Sequence, residues 1–404
     1  MAKNVRFQRF KNNALFLLLG FFVFSSFSST IILKYLHLPI SLPELLLVPF
    51  VFLLWDKLSS IKFQVGDMVI TFGVLAVLLV IGMICGEFPL YSMVSTSRSW
   101  FYLLMCTFAF SRENKIDSED LMWLSFGSVL AWFVESVLKY RRLISGILFE
   151  GDEVITYGLM LAVPVLLATT IHKSRYVIFS LSIVIISLTV VFAGLRRLLA
   201  VALLSILVGV ILKVLKHLKQ FVPFFIIGLF ITVLANYSVP IIGEFVRDNS
   251  PVMYYRVFER TGNFLESGDS GSAGDQSRLN HFERFFDDVV DHTIPYGMVS
   301  TNTRDNWAGY FNDFPLYQLC WIFSWPITLF FLIKGMKLFF QNLRKYRSQN
   351  DVVSFVSLNC ITIMFMLLFL EGTYVAFPFA TPITGLLLGR SWLNVNNKHL
   401  YSIS

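Results

Sequence analysis

Residues 176–213 read YVIFSLSIVIISLTVVFAGLRRLLAVALLSILVGVILK. Two apolar runs, 176–193 and 196–216, are separated by Gly194-Leu195 and resume on Arg196-Arg197. A helix needs about 20 apolar residues to cross a bilayer. Each run is about that long, so the short break between them makes a tight hairpin of two membrane helices. Working outward, comparable runs fall at 13–33, 38–55, 66–86, 98–110, 119–138, 154–171, 221–242, 314–333, 353–370 and 373–389. Twelve spans use about 240 residues and leave about 164 for loops and tails. Pro164, Pro223 and Pro378 lie inside runs, which membrane helices tolerate when neighbours satisfy the freed backbone groups. The expected fold is an all-α polytopic membrane protein with about 12 transmembrane helices.

Composition agrees. The 404 residues are 56% hydrophobic and 15% charged, and 42 of them are Phe. Soluble domains carry roughly 25% charged residues, so a soluble enzyme, a secreted disulfide scaffold and a nucleic-acid-binding domain are excluded. Cys85, Cys106, Cys320 and Cys360 all fall inside apolar runs without paired spacing and read as small buried hydrophobes. No small-residue cleavage site follows Thr30, so the first run reads as a retained span.

Lysine and arginine set the orientation. With the N-terminus in the cytoplasm, 20 of the 33 basic residues fall inside, and lysine alone divides 13 inside to 2 outside. An even number of spans returns the C-terminus to the cytoplasm. The net charge of +7 is then a topology signal and not a mark of a polyanionic partner.

The outer side inverts this pattern. Three regions follow: spans one to nine over 1–242, a long periplasmic loop over 243–312, and spans ten to twelve with a cytoplasmic tail over 313–404. The loop has no lysine but six arginines, Arg247, Arg256, Arg260, Arg278, Arg284 and Arg304, against eleven carboxylates. Arginine pairs stand at two further outer ends, Arg141-Arg142 and Arg196-Arg197. Each of these can serve as a helix cap or a partner of loop acids. Guanidinium is also a permanently charged planar fork that binds phosphate oxygens bidentately. Cations on the outer side beside apolar spans suit a lipid-linked phosphate or pyrophosphate. Arg196 and Arg197 lie within a turn of the apolar core, where an anionic headgroup or snorkelling offsets the cost of the charge.

Within the loop, 268–277 is a flexible Gly/Ser/Asp tip. Its Gly268-Asp269-Ser270-Gly271-Ser272 string imitates a serine-protease motif, but about 70 residues of loop cannot build the domain that motif needs. Residues 278–294 read as an amphipathic helix. Leu279, Phe282, Phe286, Val289 and Val290 share one arc, while Arg278, His281, Arg284, Asp288 and His292 share the other. Asp288 precedes His292 by one turn and can orient it. The polar arc is either a solvated face or a phosphate-binding arginine beside a proton acceptor. The spacing matches no tight zinc motif. No phosphate-binding loop or dinucleotide fingerprint appears, so no metal and no cofactor is expected.

Four motifs resemble the O-antigen ligase and O-antigen polymerase (Wzy) superfamily. Ala193-Gly194-Leu195-Arg196 resembles its small-residue turn ending in arginine. Ser277-Arg278, opening an amphipathic helix, is similar to its second arginine motif. Ile294-Pro295-Tyr296-Gly297-Met298 resembles its proline–aromatic–glycine segment. Phe311-Asn312-Asp313 before an apolar span is similar to its third motif. The resemblance lies in the second half of the chain; the first half matches by topology alone.

The resemblance implies a C-type glycosyltransferase architecture in the bacterial inner membrane. The donor would be a glycan on undecaprenyl pyrophosphate, transferred on the periplasmic side to the next lipid-linked unit. Arg196, Arg197 and Arg278 would hold the pyrophosphate and stabilise it as a leaving group, with Arg142 and Arg304 as secondary candidates. Ligases of the superfamily carry histidine where this chain has Phe311, so the general base is open between His281 and Asp313, with His292 behind them. Trp307, Tyr310 and Tyr317 are candidates for stacking on sugar faces or for marking the membrane interface. Partners implied are lipid-linked oligosaccharides, membrane lipid and a chain-length regulator protein, with no nucleic acid. The competing readings are an O-antigen ligase, a lipid-linked oligosaccharide flippase and an assembly partner in polysaccharide export. A flippase is expected to carry cations along its pathway and matching broken spans in two halves, and neither pattern is visible.

Overall fold

The computed structural model describes residues 2–24, 42–85, 90–145, 160–193, 196–214, 315–370 and 381–396, with positions 243, 244, 247, 248, 254, 255, 259, 293–295 and 297 of the long loop. The described residues are all-helical and contain no strand. The helices are α1 (Ala2–Phe22), α2 (Leu42–Leu53), α3 (Trp55–Leu58), α4 (Val65–Cys85), α5 (Leu90–Phe110), α6 (Ser118–Ser145), α7 (Ala162–His172), α8 (Tyr176–Ala193), α9 (Arg196–Val214), α10 (Pro315–Phe323), α11 (Trp325–Gln349), α12 (Val352–Leu370) and α13 (Thr381–Asn396).

Helix starts have local causes. The Asp117 carboxylate accepts the backbone N–H groups of Glu119 (2.7 Å) and Asp120 (2.9 Å), and Asp120 reaches back to the Asp117 N–H at 2.9 Å. This reciprocal cap satisfies donors that the first turn of α6 leaves open. Asp351 caps α12 in the same way, accepting the Ser354 N–H at 2.9 Å. Asn350, in the left-handed region at φ 55°, ends α11.

The core centres on α7. Every residue from Ala162 to Ile171 is buried, enclosed by α6, α8, α9 and α12. Around this centre the helices approach closely through small residues. A Cβ on Gly385 or Gly389 of α13 would overlap the backbone of α5 at Leu103 or Thr107, and Gly20 and Gly127 stand equally close across the α1–α6 contact. Such small-residue contacts let helix backbones approach closely. Polar pairs supplement them: Asn359 of α12 donates to the Ser205 carbonyl at 2.7 Å, and the Ser205 hydroxyl returns a bond to Asn359 at 2.8 Å.

Outer helices bury one stripe only. On α4 the buried positions are Asp67, Thr71, Leu75, Leu78 and Gly82, spaced by one turn. The remaining surface of α4 exposes Val69, Ile70, Phe72, Val77 and Met83. Two described helices, over Val65–Ile84 and Ser118–Val137, are long and apolar enough to cross a membrane.

One expected span is two helices. The 314–333 run breaks at Ser324 (φ 75°, ψ 157°), between α10 and α11. Pro326 explains it. A continuous helix would need its N–H for the carbonyl of Ile322, and the proline ring would strike that carbonyl. α11 then continues as a helix to Gln349, well past the end of the apolar run.

Candidate functional site

The bundle has two chemically different ends. At one end, cations and carboxylates are spent on each other. Glu119 of α6 accepts from Arg9 of α1 and from Arg175 (2.7 Å), with the Lys173 Nζ at 3.9 Å. Lys57 donates to Asp120 at 2.7 Å and to the Lys115 carbonyl at 2.9 Å. Arg112 grips both oxygens of the buried Asp67 carboxylate, one of them at 2.8 Å, and the pair holds the guanidinium pKa above its ordinary value. Arg390 donates to the Asn114 side chain and the Ile116 carbonyl. Lys213 of α9 donates to the Ile171 carbonyl at 2.8 Å, and Lys345 of α11 to the Asn394 carbonyl at 2.6 Å. An open cleft of about 330 Å³ lies here between Gln8, Asn12, Lys57 and Asp117. Glu119, Asp120 and Lys57 in its wall already have ionic partners. This end is a structural tie.

The far end carries the sequence-predicted elements that the structure describes. Arg196 and Arg197 are the first two residues of α9. Counting back from Lys213 at 1.5 Å per residue puts Arg196 about 26 Å from the ion-paired end. A helix N-terminus presents unsatisfied N–H groups and the positive end of the helix dipole. No acidic residue stands in the first turn of α9. Such a terminus favours an anion. Arg142 lies in the last turn of α6, about 36 Å along that helix from Ser118.

The long loop touches the bundle at this same end. Gly297 is buried, takes φ 76°, and donates its N–H to the Ile322 carbonyl at 3.2 Å. A Cβ at this position would run into the Leu78 carbonyl and come within 2.6 Å of the Gly82 nitrogen. Gly82 lies about 22 Å along α4 from Asp67, which belongs to the ion-paired end. Pro295 beside Gly297 is half-buried, while Thr293 and Ile294 are exposed. Arg247 is exposed, its guanidinium 5.8 Å from the centre of the Tyr254 ring.

Arg278, His281, His292, Arg304 and Asp313 lie outside the described residues. So do Trp307, Tyr310 and the expected amphipathic helix up to position 292. Sequence reasoning passed over Glu135, a carboxylate only 4% exposed, about 26 Å along α6 from Ser118. Its signal in the sequence is a single acid inside the apolar string Leu130–Leu138. Among the described residues no three His, Cys, Asp or Glu side chains gather into a metal-binding group. Cys106, Cys320 and Cys360 are free thiols, the last two buried.

No protein-family model matches the chain, and no curated protein matches it.

Proposed function

We propose that this chain is a polytopic bacterial inner-membrane glycosyltransferase that polymerises lipid-linked oligosaccharide repeat units. In this reading the ion-paired end faces the cytoplasm with both termini, twelve helices cross the bilayer, and the far end opens to the periplasm. A growing glycan is transferred there from undecaprenyl pyrophosphate to the next lipid-linked unit. The apolar faces left exposed on outer helices and the small-residue helix contacts support a lipid environment.

The observation that carries the reading is the far end of α9. Two arginines crown a helix N-terminus with no acid in its first turn, at the end where the Gly297 segment of the long loop is docked. Positive charge concentrated there suits a diphosphate that must leave with its negative charge neutralised. Arg278 is the third member of the clamp. The acceptor hydroxyl loses its proton to His281 or Asp313, its oxygen bonds to the anomeric carbon, and the carbon–oxygen bond to the pyrophosphate breaks.

The test is the surface glycan ladder of cells lacking the gene, beside the same cells complemented with wild type and with Arg278→Ala. Lipid cores carrying one repeat unit and no longer bands, restored by wild type alone, are expected for a polymerase. Loss of the single-unit band as well assigns the chain to a flippase or ligase and overturns the proposal.

A further inference from the structure

The exposed face of α11 combines bulky apolar residues with unpaired cations. Phe330, Ile333 and Phe340 are 53%, 58% and 58% exposed. Lys334, Lys337, Arg344 and Arg347 are exposed among them. No acid occurs anywhere in Trp325–Gln349. None of these four cations has an ion-pair or hydrogen-bond partner among the described residues, and Lys334 rests over the Phe330 ring at 5.0 Å. The helix cannot roll to hide them. Its other face is pinned by Asn342, which donates to Ser391 at 2.8 Å, and by Lys345, which donates to Asn394.

Depth makes this face unusual. Tyr346 packs on Phe355 with ring centres 5.3 Å apart, Leu338 clusters with Ile361, and Gly335 faces Phe365. α11 therefore runs antiparallel along α12, a helix with no charged residue from Val352 to Leu370. Lys337 and Lys334 stand about 14 and 18 Å further along the bundle than Tyr346. At that depth an outward-facing lysine beside an uncharged helix is costly in hydrocarbon, unless it snorkels or the bilayer thins to meet it. Arg344 and Arg347 continue the cationic arc to the ion-paired end.

We propose that the outer face of α11 is a binding site for anionic phospholipid headgroups of the leaflet at the ion-paired end. The lipid phosphates are drawn down along Lys334, Lys337, Arg344 and Arg347, while Phe330, Ile333 and Phe340 pack on the acyl chains. The arginines take phosphate oxygens in a fork and the lysines act as point charges. The inference rests on the membrane reading above and is independent of the glycosyl transfer.

The test uses the full chain in nanodiscs of phosphatidylcholine alone and of phosphatidylcholine with phosphatidylglycerol, read by the thermal unfolding midpoint. Phosphatidylglycerol raises the midpoint of wild type. Raising ionic strength from about 0.1 M to about 1 M, which shortens the Debye length from about 10 Å to about 3 Å, removes the increment. The variant Lys334→Gln/Lys337→Gln/Arg344→Gln/Arg347→Gln loses the increment, and the milder Lys334→Gln/Lys337→Gln loses part of it. Lys345→Gln, whose cation faces inward, lowers the midpoint equally in both lipids. An increment absent from wild type, or kept in full by both exposed-face variants, overturns the headgroup site. Extraction of the chain from membranes by alkaline carbonate overturns the membrane reading itself and this site with it.

Discussion

The amide of Gly297 donates to the carbonyl of Ile322, and that carbonyl is free because residue 326 is proline. In an unbroken helix the N–H of residue 326 would occupy it. Pro326 removes the donor and splits the expected span at Ser324. The orphaned acceptor then holds Gly297 against the bundle, and glycine is required because the backbone of α4 leaves no room for a Cβ.

Gly297→Ala tests this latch. The substitution forces an L side chain into φ 76° and into the Leu78 carbonyl, a strain of about 1–3 kcal/mol. A loss of about 1.4 kcal/mol is tenfold in docking. Hydrogen exchange across 293–298 should accelerate by that factor or more, with exchange in α7 unchanged, and the glycan ladder should collapse to short products. Unchanged exchange in the segment would remove the latch.

The Asp67–Arg112 pair makes a prediction about stability. The Asp67 side chain is 8% exposed and Arg112 is 25% exposed. Breaking such a pair from one side leaves an unpaired buried carboxylate, about 2–3 kcal/mol after allowance for the partly solvated arginine. Arg112→Ala should lower the unfolding midpoint in detergent. Asp67→Asn added to it should recover part of the loss, because the stranded charge is gone. A double variant as unstable as the sum of the singles would contradict this account.

Helix positions were legible because apolar runs of membrane length announce themselves: the runs at 66–86, 176–193, 196–216 and 353–370 lie within a few residues of α4, α8, α9 and α12. The break inside 314–333 was less visible. Hydropathy sums over Ser324-Trp325-Pro326 without registering that proline lacks a donor. The extension of α11 to Gln349 was hidden for the opposite reason, since exposed cations end an apolar window without ending a helix. The ionic tie at Glu119 and Asp120 joins residues 56 to 110 positions apart, and such pairings depend on helix packing that no local pattern encodes. At the site, the motif at Gly297 stood out as a string, while its partners on α4 and α10 did not. Glu135 is legible as the single acid inside Leu130–Leu138, a feature that the length of an apolar run does not register.

The arginine clamp predicts a hierarchy of variants. Arg196→Ala and Arg278→Ala should each abolish polymer while the protein stays in the membrane at wild-type level. Arg278→Lys should rescue poorly, since an ammonium keeps the charge but loses the two-pronged geometry. Removing one charge-assisted contact to a leaving group costs about 10²–10³ in rate. The measurement is the ladder alongside an immunoblot of membranes. Full-length polymer from both alanine variants would sink the clamp.

His172 predicts the pH response of the bundle. It ends α7 one residue past the apolar run, with Phe355 and Tyr346 ring centres at 5.1 and 6.3 Å and its Nε2 buried without a partner. Burial is the leading cause that depresses its pKa below 6.5; Lys213 and Lys173 act in the same direction, while the Asn350 backbone and Asp351 oppose it. The folded protein therefore holds a neutral imidazole that the unfolded chain protonates more readily. Below 6.5 the unfolded state binds the extra proton and stability falls with pH, levelling once the folded imidazole also protonates. Above 6.5 both states are neutral and the contribution is complete. Unfolding midpoints measured in detergent between pH 8 and pH 5 should decline for wild type on the acid side of that value. The same series on His172→Phe, which keeps the aromatic packing, should decline less over that window; an identical decline in both proteins would move the pH sensitivity away from His172.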